Sequence, residues 1–206
     1  MAVSFDLFGT LVRVERTTEP AAAIARELDE RGVPVPKGFA AAYAEPHVDA
    51  PDGAEVPLDA HVAAVLSSFG VTPQNNAARR AVVAAFQPDA DRRDGADEAI
   101  AAAREGGPVG VLSNCSVPGL VEATLRSAGL EDAFDSVVTS VGCGWRKPNP
   151  SAFEAIADAL DADPSSLVHV GDDPRTDGGV TAVGGQYVSV AETSLETLPG
   201  RIGGES

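Results

Sequence analysis

The chain has 206 residues, 44% hydrophobic and 22% charged, a globular and not a disordered composition that fits one folded domain with room for a modest insertion. Fifteen Lys and Arg against 31 Asp and Glu leave a formal charge of −16, so nothing supplies the basic stripe that a nucleic-acid backbone needs, and an anionic membrane surface is disfavoured. The apolar run Ala81–Phe86 is far too short for a membrane span of roughly 20 residues. In chain order, Ala2–Phe5 reads as a short strand ending at Asp6. Gly9-Thr10 breaks it, and Leu11–Val14 is set for a small hairpin. From Thr18 to about Pro88 the signals are helical. Pro20–Glu30 has a Thr cap and a Gly32 stop, and Phe39–Ala44 is shorter. Leu58–Phe69 carries Leu58, Val62, Val65, Leu66 and Phe69 at helical spacing, and Thr72–Phe86 has Thr72 as cap and Pro73 at its first position. Beyond Pro88 the pattern alternates: helix Ala96–Glu105, strand Pro108–Ser113, helix Val117–Ala128, strand Phe134–Ser140 and helix Pro150–Leu160. Strand Leu167–Gly171, a short helix near Thr176–Val183 and strand Tyr187–Val190 complete it. The polar, glycine-rich tail Ala191–Ser206 is expected to be loosely held.

Alternation of this kind implies a parallel sheet covered on both faces. The expected fold class is α/β, a doubly wound parallel sheet (a Rossmann-like core) with an inserted α-helical cap. Residues 1–14 and 90–206 form the core and 15–89 the cap. In such sheets ligands sit at the carboxyl ends of the strands.

Lys37 and Lys147 are the only lysines; the other 13 basic residues are arginines. Lysine scarcity with an acid excess resembles proteins of salt-in halophiles, where a dense carboxylate surface stays hydrated and screening removes self-repulsion. Cys115 and Cys143 lie 28 residues apart, which suits neither a CxxC redox pair nor a zinc site and points to a reducing compartment. The N-terminus enters Val3-Ser4-Phe5-Asp6 without an export signal, so a cytoplasmic location is expected.

Four strand ends carry chemistry-bearing residues: Asp6-Leu7-Phe8-Gly9-Thr10 after the first, Ser113-Asn114 after the second, Gly144-Trp145-Arg146-Lys147-Pro148 past the third, and Gly171-Asp172-Asp173-Pro174-Arg175-Thr176-Asp177 after the fourth. Lys147 stands out because a compact point charge is not replaced by the arginine fork. Three carboxylates within six residues repel one another unless a cation relieves them.

In this order the four segments resemble the haloacid dehalogenase-like hydrolase superfamily, over residues 1–14 and 90–190. The resemblance implies a Mg²⁺-dependent phosphatase acting on a small phosphorylated metabolite. Asp6 would be the nucleophile of an aspartyl-phosphate intermediate, and Lys147 would hold Asp6 and phosphate together. Ser113 and Asn114 would bind phosphate oxygens. Mg²⁺ would sit on Asp6, the Phe8 backbone carbonyl, Asp172 and Asp177, with Asp173 behind them orienting Lys147 or a bound water. Phe8 departs from the pattern: the superfamily's phosphatases usually carry a general acid–base Asp there. His47, His61, Asp173 or metal-bound water are the candidates to replace it, whereas His169, inside a strand, reads as structural. An aromatic residue at that position is similar to the metal-independent 2-haloacid dehalogenase branch, but residues 34–71 contain no arginine to receive halide. A weakly catalytic binding module is a further alternative. Cys115 reads as packing, and Trp145 as either a wall of the substrate entrance or a loop anchor.

Overall fold

The computed structural model describes all residues except 16, 87, 88 and 199–206. The chain runs β1 (Ala2–Phe5), β2 (Val12–Val14), α1 (Pro20–Glu30), α2 (Phe39–Tyr43), α3 (Leu58–Ser68) and α4 (Ala77–Ala85). It continues through β3 (Ala90–Arg92), α5 (Ala96–Gly106), β4 (Val109–Ser113), α6 (Leu120–Ser127), β5 (Ser136–Thr139) and α7 (Ser140–Cys143). The last elements are α8 (Pro150–Ala159), β6 (Leu167–Gly171) and β7 (Gln186–Ser189), with 3₁₀ turns at Pro164–Ser166, Asp177–Val183 and Leu195–Thr197.

Five strands form one parallel sheet in the order β5-β4-β1-β6-β7. The chain leaves the central β1, builds outward through β4 and β5, then returns to the other side with β6 and β7. That reversal opens a crevice at the carboxyl end of β1, the place where open α/β sheets bind ligands. All four residues of β1 are buried because the strand is covered on both faces. Period-two alternation sends Val3 and Phe5 into one core cluster, with Ile100 of α5 and Val121 of α6, and Ala2 into another, with Phe153 and Ile156 of α8. The register sets Ser4 opposite His169.

Helices α1–α4 lie between β2 and β3 and pack on one another through Ile24, Leu28, Val62, Val65, Ala81 and Val82, all buried. No helix among the described residues is long and apolar enough to cross a membrane.

Several boundaries differ from expectation. Leu11–Val14 does not close a local hairpin: β2 pairs antiparallel with β3, so the segment before the helices is stapled to the segment after them. Thr72 is not a cap. Asn75 and Asn76 both take positive φ, the chain turns there, and α4 starts at Ala77. The Thr cap of α1 is absent, since Glu19 precedes the helix and makes no side-chain cap bond. Gly119, at φ +81, delays α6 to Leu120. The tail is not loose through 198: Leu195 and Leu198 are buried and Leu195–Thr197 packs against α5. Its remainder, 199–206, lies outside the described residues, as does the Pro88 boundary.

Candidate active site

The site is built from loops at the carboxyl ends of β1, β4, β5 and β6. The Asp6 N–H donates to the Val170 carbonyl (2.8 Å), which fixes the carboxylate just beyond the sheet. The chain then turns sharply at Gly9, φ +90, where a Cβ would fall 2.5 Å from Asp172 Oδ2. Glycine therefore permits the loops after β1 and β6 to touch, and the Thr10 hydroxyl donates to Asp172 Oδ1 across the junction (3.2 Å).

Lys147 comes from the loop after α7. Its main chain is clamped by one side chain: the Asn114 amide accepts from the Lys147 N–H (2.8 Å) and donates to the Lys147 carbonyl (2.9 Å). The buried ammonium then lies 2.9 Å from Asp6 Oδ1 and 2.7 Å from Asp177 Oδ1. Asp177 starts a 3₁₀ turn and its other oxygen accepts the Asp173 N–H (3.0 Å). Asp6, Asp172 and Asp177 each present a carboxylate oxygen within 4.8 Å of the others.

His169, expected to be structural, joins this cluster. Its Nδ1 meets the Ser4 hydroxyl (2.8 Å), and its Nε2 lies 3.2 Å from Asp177 Oδ1 and 3.4 Å from Lys147 Nζ. Burial and the Lys147 charge push the ring down to about 4, so it is neutral at pH 7. A neutral ring facing an ionised carboxylate donates through Nε2–H, leaving Nδ1 to accept from Ser4. Burial alone would raise Asp177, but the His169 hydrogen bond and Lys147 outweigh it and hold the carboxyl well below the carboxylate range. For Asp6, burial prevails over the opposing Lys147 charge and pushes the carboxyl up.

Ser113 is fully buried and its hydroxyl finds no hydrogen-bond partner among the described residues. A buried polar atom without a partner is rare enough to require a ligand or ordered solvent. The donor set around Asp172 also fits a hard divalent cation: all oxygen, three acidic groups, one of them exposed at the mouth.

Asp173, His47 and His61 are placed differently from the roles expected of them, and Trp145 takes one of its two expected roles. The Asp173 carboxylate does not orient Lys147; Arg175 takes both its oxygens (3.0 and 2.8 Å), and Asp177 holds the lysine instead. His47 Nε2 bonds the Ala42 carbonyl and His61 Nε2 the Tyr43 carbonyl, each at 3.0 Å, so both serve the helical segment. Trp145 packs with the Phe153 cluster and pairs with Ala54, an anchor rather than a wall of the cavity. Phe8 does face a cavity of about 450 Å³ between the helices and the sheet, with Tyr43, Leu58, Asn114, Leu120 and Arg146 on its walls. Cys115 also lines it, and burial pushes its thiol up to about 11.

A family model described as haloacid dehalogenase-like hydrolase matches residues 1–179. The phosphatase MT3486 of Mycobacterium tuberculosis (strain CDC 1551 / Oshkosh) is 39% identical over 71 residues, 34% of this chain and 33% of that protein. An (S)-2-haloacid dehalogenase of Xanthobacter autotrophicus is 30% identical over 88 residues, 43% of this chain and 34% of its own. The matched stretch thus spans about a third of either relative. Among solved structures, CbbY from Rhodobacter sphaeroides in complex with phosphate has a TM-score of 0.57 at 20% identity, over 91% of this chain and 84% of that one. The L-2-haloacid dehalogenase from Xanthobacter autotrophicus with chloropropionic acid covalently bound has a TM-score of 0.56 at 22% identity, over 95% and 79%. At these identities the two structures establish a common fold. With the family match running from β1 into the turn that carries Asp177, the chain belongs to the haloacid dehalogenase-like hydrolases.

Proposed function

We propose that the protein is a Mg²⁺-dependent phosphomonoesterase acting on a small phosphorylated metabolite, with residues 15–89 as the cap over its site. The observation that carries this reading is the convergence of Asp6, Asp172 and Asp177 around the buried Lys147 ammonium. A carboxylate that displaces halide from carbon has no need of three acids and a cation. A carboxylate that attacks a phosphate dianion must have its charge and the phosphate's neutralised.

In this scheme an Asp6 oxygen attacks phosphorus, the ester P–O bond breaks, and the alkoxide departs, taking its proton from solvent. Water then attacks the aspartyl-phosphate, releasing phosphate and restoring Asp6. Lys147 offsets part of the cost of burying an Asp6 anion and draws in the phosphate oxygens, while Asp177, itself held by the Nε2–H of neutral His169, fixes the direction of the ammonium. Ser113, with its buried unpartnered hydroxyl, donates to a phosphate oxygen. Asn114 acts mainly through the Lys147 backbone it clamps. The cation would be held by Asp6, Asp172, the Phe8 carbonyl and Asp177, with Asp172 the least committed to other partners. When bound, it supplies the charge neutralisation that phosphoryl transfer requires.

Phe8 supplies no proton, so a second reading, carbon–halogen displacement, is favoured by that single residue. The test measures phosphate release from a panel of monoesters with Mg²⁺ and with EDTA, alongside Asp6→Asn. The reading expects activity with Mg²⁺, none with EDTA, and loss of all but a few per cent in Asp6→Asn. Metal-independent chloride release from 2-chloropropionate without phosphate release would establish the dehalogenase reading instead.

A further inference from the structure

Glu55 sits on the segment that joins α2 to α3. In a protein of charge −16, most of whose acids face water, its side chain is 3% exposed. The burial is compensated locally: Oε2 takes the Arg146 guanidinium (2.7 Å) and the Ser140 hydroxyl. With its proton committed to Glu55, the Ser140 oxygen presents a lone pair to the Cys115 N–H (2.8 Å). One carboxylate therefore ties together three segments: the one around 53–58, the loop that follows Ser113 at the end of β4 and carries Asn114, and the segment after β5 that carries Lys147.

The backbone follows the same path. Glu55 N–H donates to Gly144 (2.8 Å), Arg146 N–H to Gly53 (2.9 Å), and Leu58 N–H to Ser116 (2.9 Å). The contact ends one residue before Lys147 and two residues after Asn114. Under the phosphatase reading, these are the loops that hold phosphate.

We infer that Glu55 is a positioning residue. It fastens the strap 53–58 onto both phosphate-binding loops, so that docking of the helical segment sets where Lys147 and Ser113 stand. The inference rests on the phosphatase reading for its kinetic consequence, but the mechanical linkage stands apart from it. Small misplacements of reacting groups cost about a hundredfold in rate. A strap that only completed the fold would not separate turnover from substrate affinity.

The test compares Glu55→Ala, Glu55→Gln and Ser140→Ala, with p-nitrophenyl phosphate and Mg²⁺ as the kinetic probe. Glu55→Ala should lower kcat about tenfold to a hundredfold with KM held within about threefold. Glu55→Gln keeps an oxygen for Ser140 and should recover most of the loss. Ser140→Ala should lower kcat without KM, and the double variant should be no worse than the poorer single one. An unchanged kcat, a loss confined to KM, a Gln variant as poor as Ala, or additive losses would overturn the inference. Amide hydrogen exchange supplies a readout that needs no turnover. Glu55→Ala should speed exchange at 114–117 and 140–148 while β1 and β6 stay protected. Exchange that quickens only at 53–58 would overturn the linkage. Failure of the wild type to hydrolyse any phosphomonoester would remove the phosphatase reading alone, with the exchange result still deciding the linkage. If Glu55→Ala does not fold, Glu55→Gln and Ser140→Ala carry both measurements: Gln is expected to stay close to wild type in kcat and in exchange at 114–117 and 140–148, and Ser140→Ala to lower kcat and quicken 114–117.

Discussion

Replacing Lys147 by Met removes the ammonium while keeping an unbranched side chain of similar reach. At an effective dielectric of 20, its contacts of 2.9 Å to Asp6 and 2.7 Å to Asp177 are each worth about 6 kcal/mol of gross Coulomb attraction. Much of this offsets the cost of taking the three groups out of water. What counts in the variant is the remainder: the Asp6 and Asp177 carboxylates left facing each other without the cation between them, Asp177 keeping only its neutral partners, His169 and the Asp173 N–H. Breaking a buried pair in this way costs about 3–5 kcal/mol. For a chain of this length that corresponds to a fall in Tm of roughly 6–20 °C. Urea unfolding in EDTA reads the loss directly. Millimolar Mg²⁺ should return part of it, because a cation among Asp6, Asp172 and Asp177 takes over the task of the ammonium, and it should stabilise the wild type less. Activity should fall at least 10²-fold even where the fold is restored, since positive charge at the oxygens that receive developing charge is lost. A variant as stable as wild type in EDTA would refute the account of the cluster. A variant that keeps its activity would refute the role given to Lys147.

The formal charge of −16 with two lysines predicts a Tm that rises by several degrees between low and molar KCl; a flat or falling Tm would refute the halophilic reading of the composition. Phe8→Asp places a proton-transferring group beside the nucleophile, worth about 10²–10⁴ where the leaving group is a basic alkoxide and little where it is a phenolate. Its kcat should therefore rise for alkyl phosphates relative to p-nitrophenyl phosphate, and equal slowing of both would make Phe8 a packing or specificity residue. Burial holds the Cys115 thiol up at about 11, so at pH 8 it remains protonated, with about a hundredfold less thiolate than an ordinary cysteine. Iodoacetamide at pH 8 should label the half-buried Cys143 first, and equal labelling of both would contradict this.

What the sequence discloses is what has a local signature. The strands of the sheet are short apolar runs next to glycine or acid; Asp6 and Asp172 are conspicuous because charge follows directly on such runs, Asp177 because it closes a cluster of acids, and Lys147 because lysine is otherwise so rare. Their convergence follows once the strands are parallel. What the sequence hides depends on partners far along the chain. Only three residues long, β3 has Asp91 and Arg92 exposed and carries no hydrophobic pattern; it becomes a strand only through β2. Thr72-Pro73 has the form of a helix start, and nothing local shows that two asparagines with positive φ will override it. His169 is a lone histidine in a buried strand until Ser4, Lys147 and Asp177 are brought around it from 165, 22 and 8 residues away. Glu55 is one acid among 31, and its burial shows only when the strap is seated.

The clamp between Asn114 and Lys147 carries a consequence for how the chain tolerates change. Both main-chain groups of Lys147 are read by a single amide, one oxygen accepting and one nitrogen donating. Asp at 114 matches Asn in size and differs by one atom, yet it would set a carboxylate oxygen against the Lys147 carbonyl oxygen and turn a donor contact into a repulsion. Leu at 114 would leave an N–H and a carbonyl with nothing to meet. By contrast, altering the Lys147 side chain leaves the clamp intact. The neighbours are thus unequal: a change at 147 acts through its charge and leaves the path of the loop in place, whereas a change at 114 risks the loop itself.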